Sequence, residues 1–455
     1  MKKVVNIMSF VFAMLLFYIT KDYNILPLTI SFSIYMLLNS VFSTINIEKN
    51  NYKLFKCSFC IIIIIGLIFA VITYFIGNIM NIEKLNIINI FMSISLISNI
   101  LLKLTISYLE KLNYKKLSDN LLNIYKLVGV LLRIIFIIFL FKRLDSYINI
   151  IILYSIDIIL FVILSILLYI FIFKKIKKQE MKKINYMKEV KKVLVSNKII
   201  TIYNLINSSY IYTSIVILYY VLTNKYNYSY NDAGFIITNT YLYGLIAIYI
   251  MYKIIKKHLG INTDDNFNTN YIRMLKKIFP LAILFTIISK PLSVVIFGNN
   301  QNILVNLLPL LFTYIFYDFT INTNINYNKK KNIIITLVVG IIVKMIFELP
   351  IIDAIYRMGY SQALGSVLSI VLGLIVTIFI GMILLKRKLK INLLDDFNNI
   401  LNVIYENIIY TIILVLFTFI VKINTTTFIS SLLVIIFYLF ISILFYIVKR
   451  RLSKK

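Results

Sequence analysis

An arginine and a lysine lie in a segment that is otherwise almost entirely apolar. In "LVGVLLRIIFIIF", Arg133 is about twelve residues into its apolar run, roughly 18 Å along a helix axis. Lys126 precedes it by seven residues, two turns earlier on the same helical face. A guanidinium at this depth can bind a phosphate through two parallel hydrogen bonds. The spacing predicts a cationic stripe that runs from one membrane surface to the bilayer centre.

Two interpretations of Arg133 stay open. Ionisable side chains inside a membrane usually face a bundle interior or a wet cavity, so Arg133 could line a cavity that accepts an anionic headgroup. It could also form an ion pair with Asp157 of the following apolar run. The two are compatible if the substrate competes with Asp157. Arg133, Lys126 and Asp157 are therefore candidate substrate-binding residues.

A second charged pair interrupts the run "GIIVKMIFELPII" (340–352). Lys344 and Glu348 are four residues apart and share a helical face, so they can neutralise one another. The sequence places Glu348 at the outer end of its span, before Pro350, and predicts that its carboxylate reaches the membrane surface; Lys290 is interpreted in the same way. Lys344 is interpreted either as a partner of Glu348 or as a substrate contact. Asp318, on the inner side of its run, completes the candidate binding residues.

These residues must be positioned by membrane-spanning helices. The chain has 455 residues, of which 60% are hydrophobic and 15% charged, and its mean hydropathy is +0.90. Apolar runs long enough to cross about 30 Å of hydrocarbon recur along it, which predicts an all-α polytopic membrane protein. The fourteen predicted spans are 4–19, 25–45, 55–77, 85–109, 121–141, 147–173, 199–222, 233–254, 278–297, 302–323, 333–351, 361–385, 401–421 and 427–448.

The basic residues supply an orientation. If both termini are cytoplasmic, 36 of the 48 lysines and arginines fall in the inside segments or at their mouths. Such an asymmetry is what the positive-inside rule predicts. One helix too many or too few would place basic loops on both sides and remove the asymmetry. The formal charge of +30 therefore indicates membrane topology and not nucleic-acid binding.

The longest polar connection is the basic segment 174–198. Its charges fit either an amphipathic helix on anionic lipid headgroups or a solvated linker. It divides the chain into predicted units: an N-lobe (1–173), this linker, a C-lobe (199–390) and two additional spans (391–455).

The sequence lacks the residue sets of a zinc site, of a catalytic site and of a nucleotide-binding loop. The single histidine, His258, and the pair Cys57 and Cys60 cannot complete a zinc site. No catalytic constellation is recognisable, and a phosphate-binding glycine loop is missing, which argues against an ATP-driven pump. We therefore expect no catalytic residues, no metal and no cofactor.

Three stretches carry a family resemblance. The segment "INYNKKKNIIITLVVGIIVKMIFELPIIDAIYRMGYSQALGSVLSIVLG" (325–373), with "YNDAGFIITNTYLYGL" and "IFPLAILFTIISKPLSVVIFG", resembles the multidrug/oligosaccharidyl-lipid/polysaccharide exporter superfamily. The nearest branch contains the MurJ lipid II flippases and stage V sporulation protein B. Lys344 is similar to the family lysine, and Arg133 to the arginine of a Glu-x-x-x-Arg helix whose glutamate position holds Gly129.

The resemblance implies two pseudo-symmetric six-helix lobes around a central cavity, followed by two C-terminal helices. It implies a monomeric flippase of the cytoplasmic membrane, not an enzyme, that moves a polyprenyl-diphosphate-linked saccharide by alternating access. The membrane potential or an ion gradient would drive it. The alternatives are a membrane-embedded glycosyl or acyl transferase of envelope synthesis and a small-molecule or drug exporter of the same superfamily.

Overall fold

The protein is built from helices throughout the part of the chain that the structure describes. The computed structural model describes residues 2–20, 25–42, 44–47, 51–80, 82, 84–141, 144–171, 186–195, 198–259, 267–298, 303–327, 330–389, 393–420 and 427–452. No strand occurs within these ranges. The predicted all-α class is therefore confirmed.

The helices follow one another with short connections. Two π-helical turns, Val221–Lys225 and Thr238–Gly244, continue helices α8 and α9. In chain order the helices are α1 (Lys2–Thr20), α2 (Leu26–Val41), α3 (Tyr52–Ile79), α4 (Leu85–Lys111), α5 (Lys115–Phe139), α6 (Ser146–Phe171), α7 (Tyr186–Leu194), α8 (Lys198–Tyr220), α9 (Tyr230–Ile237), α10 (Leu245–Leu259), α11 (Phe267–Phe297), α12 (Ile303–Tyr327), α13 (Lys330–Arg357), α14 (Gln362–Leu389), α15 (Leu393–Ile420) and α16 (Phe428–Leu452).

Among the described residues, twelve helices are long and apolar enough to cross a membrane. They coincide with the third to fourteenth predicted spans, with α9 and α10 forming one span through the π-helical turn between them. The first two predicted spans correspond to α1 and α2, and α2 has only 16 residues. The chain is a multi-pass membrane protein. Its cytoplasmic termini and its lobe layout stay predictions.

The chain forms two compact units, an N-terminal unit (1–238) and a C-terminal unit (239–455). In the N-terminal unit, helices α3 and α4 pack closely, because Gly77 lets the backbone of Asn86 approach. A core that includes Leu96, Ile100 and Tyr108 lies between them and their neighbours. The predicted boundaries at 173, 198 and 390 stay a prediction.

In the C-terminal unit, α13 and α14 make the tightest helix pair. A Cβ on Gly365 would lie 2.7 Å from the Ile352 Cα, so the glycine is what allows the two backbones to meet. Helices α15 and α16 both pack on α11. The Tyr410 hydroxyl of α15 shares a 2.9 Å hydrogen bond with the Ser442 hydroxyl of α16. The last two helices are thereby fixed to the rest of this unit.

Helix α13 corrects one prediction. The predicted span ends at residue 351, but the helix continues through Pro350 to Arg357. Proline is tolerated here because neighbouring helices can support the local backbone of a membrane helix. Lys344 therefore lies roughly 21 Å from the first residue of a helix about 42 Å long, near its middle. Glu348 is not at a helix end and does not reach a surface, because its side chain is fully buried.

The basic segment 174–198 contains the short helix α7, which packs on the N-terminal unit. Val190 and Val193 are buried in its core, and the Val193 carbonyl accepts a hydrogen bond from the Asn46 backbone N–H at 3.1 Å. Lys191 and Lys192 are exposed. Residues 172–185 and 196–197 lie outside the described residues. Binding of this segment to anionic lipids stays a prediction.

Candidate functional site

The two central charges of the N-terminal unit are in direct contact. A guanidinium nitrogen of Arg133 on α5 lies 2.6 Å from Asp157 Oδ1 on α6, and the two side chains are 21% and 14% exposed. The pair is therefore neither sealed in a core nor freely solvated. One face of the pair therefore stays accessible without unfolding of either helix.

Helix α4 supplies the other described partners of the Asp157 carboxylate. The Ser95 hydroxyl donates a hydrogen bond to Asp157 Oδ2 at 3.0 Å, and the Asn99 amide lies 3.5 Å from the same oxygen. The Tyr125 hydroxyl donates to the Asp157 backbone carbonyl at 3.1 Å. The carboxylate therefore keeps two neutral hydrogen-bond donors if Arg133 moves away. Such support lowers the cost of releasing the guanidinium to another anion.

Tyrosines contributed by α2 and α6 lie beside this network. The rings of Tyr35 and Tyr154 are stacked with centroids 6.5 Å apart. The Tyr154 hydroxyl shares a 2.9 Å hydrogen bond with the Ser31 hydroxyl, so it is satisfied although it is buried. These rings keep the surroundings of the ion pair apolar, which strengthens its electrostatic interactions.

Gly129 is a neighbour of the Arg133 guanidinium. It lies one turn before Arg133 on α5, and a Cβ built on it would lie 3.6 Å from a guanidinium nitrogen of Arg133. This is an ordinary contact distance, and the guanidinium lies over the helix and pairs with Asp157 of α6.

A polar stripe on α4 was missed by the sequence reasoning. Ser95, Asn99, Lys103 and Ser107 follow one another at intervals of four residues, which places them along one helical face. All four side chains contact neighbouring helices or the segment after α2. The signal was present as a polar four-residue repeat inside an apolar run, but each residue by itself looked unremarkable.

Lys126 lies two turns before Arg133 on α5, as predicted, and its side chain is exposed. It acts electrostatically on Lys103 of α4, so the two ammonium groups are near one another. The structure therefore places Lys126 at the start of a cationic region and Arg133 deeper along the same helix. Substrate binding by Lys126 and by Arg133 stays a prediction.

Lys344 and Glu348 form a completely buried ion pair in the C-terminal unit. The Lys344 ammonium lies 2.6 Å from Glu348 Oε2, and both side chains have zero exposure. The Ser366 hydroxyl of α14 donates to Glu348 Oε1 at 3.3 Å, and the Tyr241 hydroxyl is hydrogen-bonded to Ser366. The sequence interpretation that Glu348 reaches the surface is wrong. The reason is the network, which satisfies the carboxylate inside the unit.

Asp318 lies in a different cluster of the C-terminal unit. Its Oδ2 accepts hydrogen bonds from the Lys256 ammonium at 2.6 Å and from the Tyr252 hydroxyl at 2.8 Å. Its Oδ1 accepts from the Asn322 amide at 2.9 Å. Three donors therefore satisfy the carboxylate, and its pairing with Lys256 was not predicted. Within the described residues, no three His, Cys, Asp or Glu side chains lie close enough to hold a metal ion.

Comparison with known proteins yields a likeness in structure. No family model and no curated protein matches the chain. A solved structure described as the lipid II flippase MurJ in an inward closed conformation is similar, with a TM-score of 0.51 and 16% sequence identity. The similarity covers 97% of this chain and 98% of that one. This chain has the MurJ fold.

The MurJ fold accounts for the resemblance noted in the sequence. The stretches that carry that resemblance lie on α9–α10, α11, α13 and α14, all of which the alignment spans at near-full coverage. At 16% identity the likeness concerns the fold. The function of this protein depends on its own side chains.

Proposed function

We propose that the protein is a flippase that carries a polyprenyl-diphosphate-linked saccharide across the cytoplasmic membrane by alternating access. The observation that carries this proposal is the Arg133–Asp157 pair, which is partly exposed at 21% and 14% inside a bundle of membrane-spanning helices. The MurJ fold supports the proposal. Which saccharide the lipid bears is not part of it.

Arg133 would bind the diphosphate by exchanging Asp157 for a phosphate. A guanidinium presents a planar fork that fits two phosphate oxygens, and such charge-assisted bonds are among the stronger ones in proteins. Asp157 would be stabilised meanwhile by Ser95 and Asn99, which already donate toward it. When the diphosphate leaves, Asp157 recovers its ion pair and the site is reset. Lys126 would meet the headgroup earlier, nearer the membrane surface.

The driving force would come from the membrane and not from a bound cofactor. Export of an anion from a negative cytoplasm is favoured by about 2.3 kcal/mol per charge for each 100 mV. The protein must then supply what water supplied to the headgroup, which is hydrogen bonding and charge compensation. The exposed lysines of α7 would add attraction to anionic lipids on the side where the substrate is loaded.

The proposal is tested with purified protein in vesicles that contain a fluorescent polyprenyl-diphosphate saccharide. A membrane-impermeant quencher reads the exposure of the headgroup on the outer leaflet over time. We expect Arg133→Lys, which keeps the charge and loses the planar fork, to slow this exposure about tenfold or more. Arg357→Lys, at the exposed end of α13, is the matched control and should flip the lipid normally.

The same experiment can contradict the proposal in two ways. If the wild-type protein does not expose the headgroup, it is not a flippase for this class of lipid. If it transfers the saccharide to another acceptor, it is a transferase. Arg133→Ala at unchanged flipping rate would remove Arg133 from the mechanism.

A further inference from the structure

A polar cavity opens in the N-terminal unit at the ends of α2 and α4. Its volume is about 420 Å³, room for roughly a dozen water molecules. Its polar lining residues belong to α4 and to the segment that follows α2: Thr44, Asn46, Lys103, Ser107 and Glu110. The cavity lies beside Lys103 on the polar stripe of α4, one turn from Asn99, and is thus separate from the Arg133–Asp157 pair.

Lys103 contributes a positive charge to this cavity. Its ammonium donates a 2.8 Å hydrogen bond to the Asn39 side-chain oxygen. Among the described residues, no carboxylate lies within ion-pair distance of this ammonium. An ammonium carries three donors, so two remain for a ligand or for water. Lys126 adds a second positive charge nearby. A half-buried ammonium without a counter-ion is costly, which makes it a ready site for an anion.

Asn46 contributes a second donor group. Its side-chain oxygen accepts a 2.8 Å hydrogen bond from the Ser107 hydroxyl, and Ser107 in turn accepts from the Ile47 backbone N–H at 2.7 Å. Within the described residues the side-chain amide nitrogen of Asn46 has no hydrogen-bond acceptor. The backbone of Asn46 is held by the Val193 carbonyl of α7. The donor is therefore fixed in place on a supported loop.

Glu110 is the one carboxylate in the lining. It is exposed at the last turn of α4, where solvent screens its charge and the exposed Lys111 follows it directly. The Lys103 ammonium is half-buried, where its charge is less screened than that of Glu110. Asn46 is exposed, but Ser107 and the Val193 carbonyl hold it in place beside the ammonium. The charges and hydrogen-bond donors that line the cavity thus favour an anion with several acceptor oxygens.

We propose that this cavity is a phosphate-binding site, in which the Lys103 ammonium and the Asn46 side-chain amide bind the oxygens of a phosphate or diphosphate group. The group could belong to a free phosphate compound or to the headgroup of a phospholipid or polyprenyl diphosphate. The inference concerns binding at a site distinct from Arg133, and it does not depend on the transport activity proposed above.

The test is a binding measurement on the full-length protein in lipid nanodiscs. Inorganic pyrophosphate is titrated into zwitterionic nanodiscs in one arm, and polyprenyl diphosphate is incorporated into them in the other. Wild-type protein should bind at least one probe, seen by calorimetry or as an increase in Tm. Lys103→Gln should weaken that binding on the order of 10- to 100-fold, as expected for the loss of a charged hydrogen bond. Lys116→Gln, an exposed lysine outside the cavity, is the matched control.

A second variant protects the test against misfolding. Asn46→Asp keeps the side-chain oxygen that accepts from Ser107 and replaces the amide donor with a negative charge, so it should weaken binding at least as much as Lys103→Gln does, while the Tm without ligand stays unchanged. Binding of pyrophosphate identifies a site for free phosphates; binding of the polyprenyl diphosphate alone identifies a headgroup site. The proposal is overturned if neither probe binds, or if Lys103→Gln and Lys116→Gln bind equally well.

Discussion

The buried ammonium of Lys344 and the buried carboxylate of Glu348 depend on one another. Both have zero exposure, and each would be an uncompensated charge without the other. Removing one partner of such a pair typically costs about 3–5 kcal/mol, whereas replacing both by apolar side chains of similar volume is often neutral. The two possible roles of Lys344, local partner or substrate contact, therefore differ in what a double substitution does.

We expect Lys344→Met to lower the free energy of unfolding by about 3–5 kcal/mol, and Lys344→Met with Glu348→Met to restore most of it. Ser366 keeps Tyr241 as its partner in the double variant. The measurement is the thermal stability of the three purified proteins, followed by headgroup exposure in vesicles. A double variant that is stable and active assigns the pair to structure alone. One that is stable and inactive assigns Lys344 to transport.

The Arg133–Asp157 pair gives a second prediction at the level of single residues. Arg133→Ala leaves Asp157 with only Ser95 and Asn99, and we expect a loss of about 2 kcal/mol in unfolding free energy. Adding Asp157→Asn removes the unpaired charge and should recover that loss without restoring transport. Recovery of both stability and transport by the double variant would show that the pair is structural.

The sequence could identify Arg133 and its partner because a charge in mid-membrane has few ways to be satisfied, and Asp157 is a carboxylate in the adjacent predicted span. It could not identify Ser366 or Tyr241 as supports of Glu348. Their contacts arise from the packing of α14 on α13 and of the π-helical turn on α14, which leaves no periodic signal. The burial of Glu348 was misjudged for a related reason, since Pro350 looks like a helix end.

At the level of elements, close helix packing depends on glycines that face a backbone. A Cβ on Gly365 would lie 2.7 Å from the Ile352 Cα, and one on Gly77 would lie 2.6 Å from the backbone of Asn86. At Gly129 the nearest atoms are side-chain atoms at 3.4 and 3.6 Å, which is ordinary contact. All three are glycines within apolar runs, and only the structure shows which of them face a neighbouring backbone.

We therefore expect Gly365→Ala and Gly77→Ala to lower the Tm, because the helix pairs must move apart, at a cost of about 1–3 kcal/mol. Gly129→Ala should be neutral or slightly stabilising, since alanine is favoured over glycine in a helix interior by about 1 kcal/mol. Thermal unfolding of the three purified variants decides the matter. Equal effects at all three positions would show that packing at Gly365 and Gly77 is looser than the structure indicates.

At the level of the whole molecule, hydropathy and charge were sufficient to locate the helices. A bilayer forces each crossing segment to satisfy its own backbone, so apolar runs of sufficient length predict helices well. The twelve long helices agree with the third to fourteenth predicted spans for this reason. The short α7 was left open between helix and linker, because its apolar side chains became informative only once their core was known.

The orientation of the chain follows from the basic residues and can be tested at described, exposed positions. Asn224 and Tyr360 are predicted outside, and Lys257 inside, with the span α9–α10 between Asn224 and Lys257. In a protein with Cys57 and Cys60 replaced by alanine, single cysteines at Asn224 and Tyr360 should react with a membrane-impermeant maleimide on intact cells. A cysteine at Lys257 should react only after the membrane is permeabilised, which also controls for reactivity. Labelling of Lys257 on intact cells would reverse the predicted orientation, and with it the side from which a substrate would approach Lys126 and Arg133.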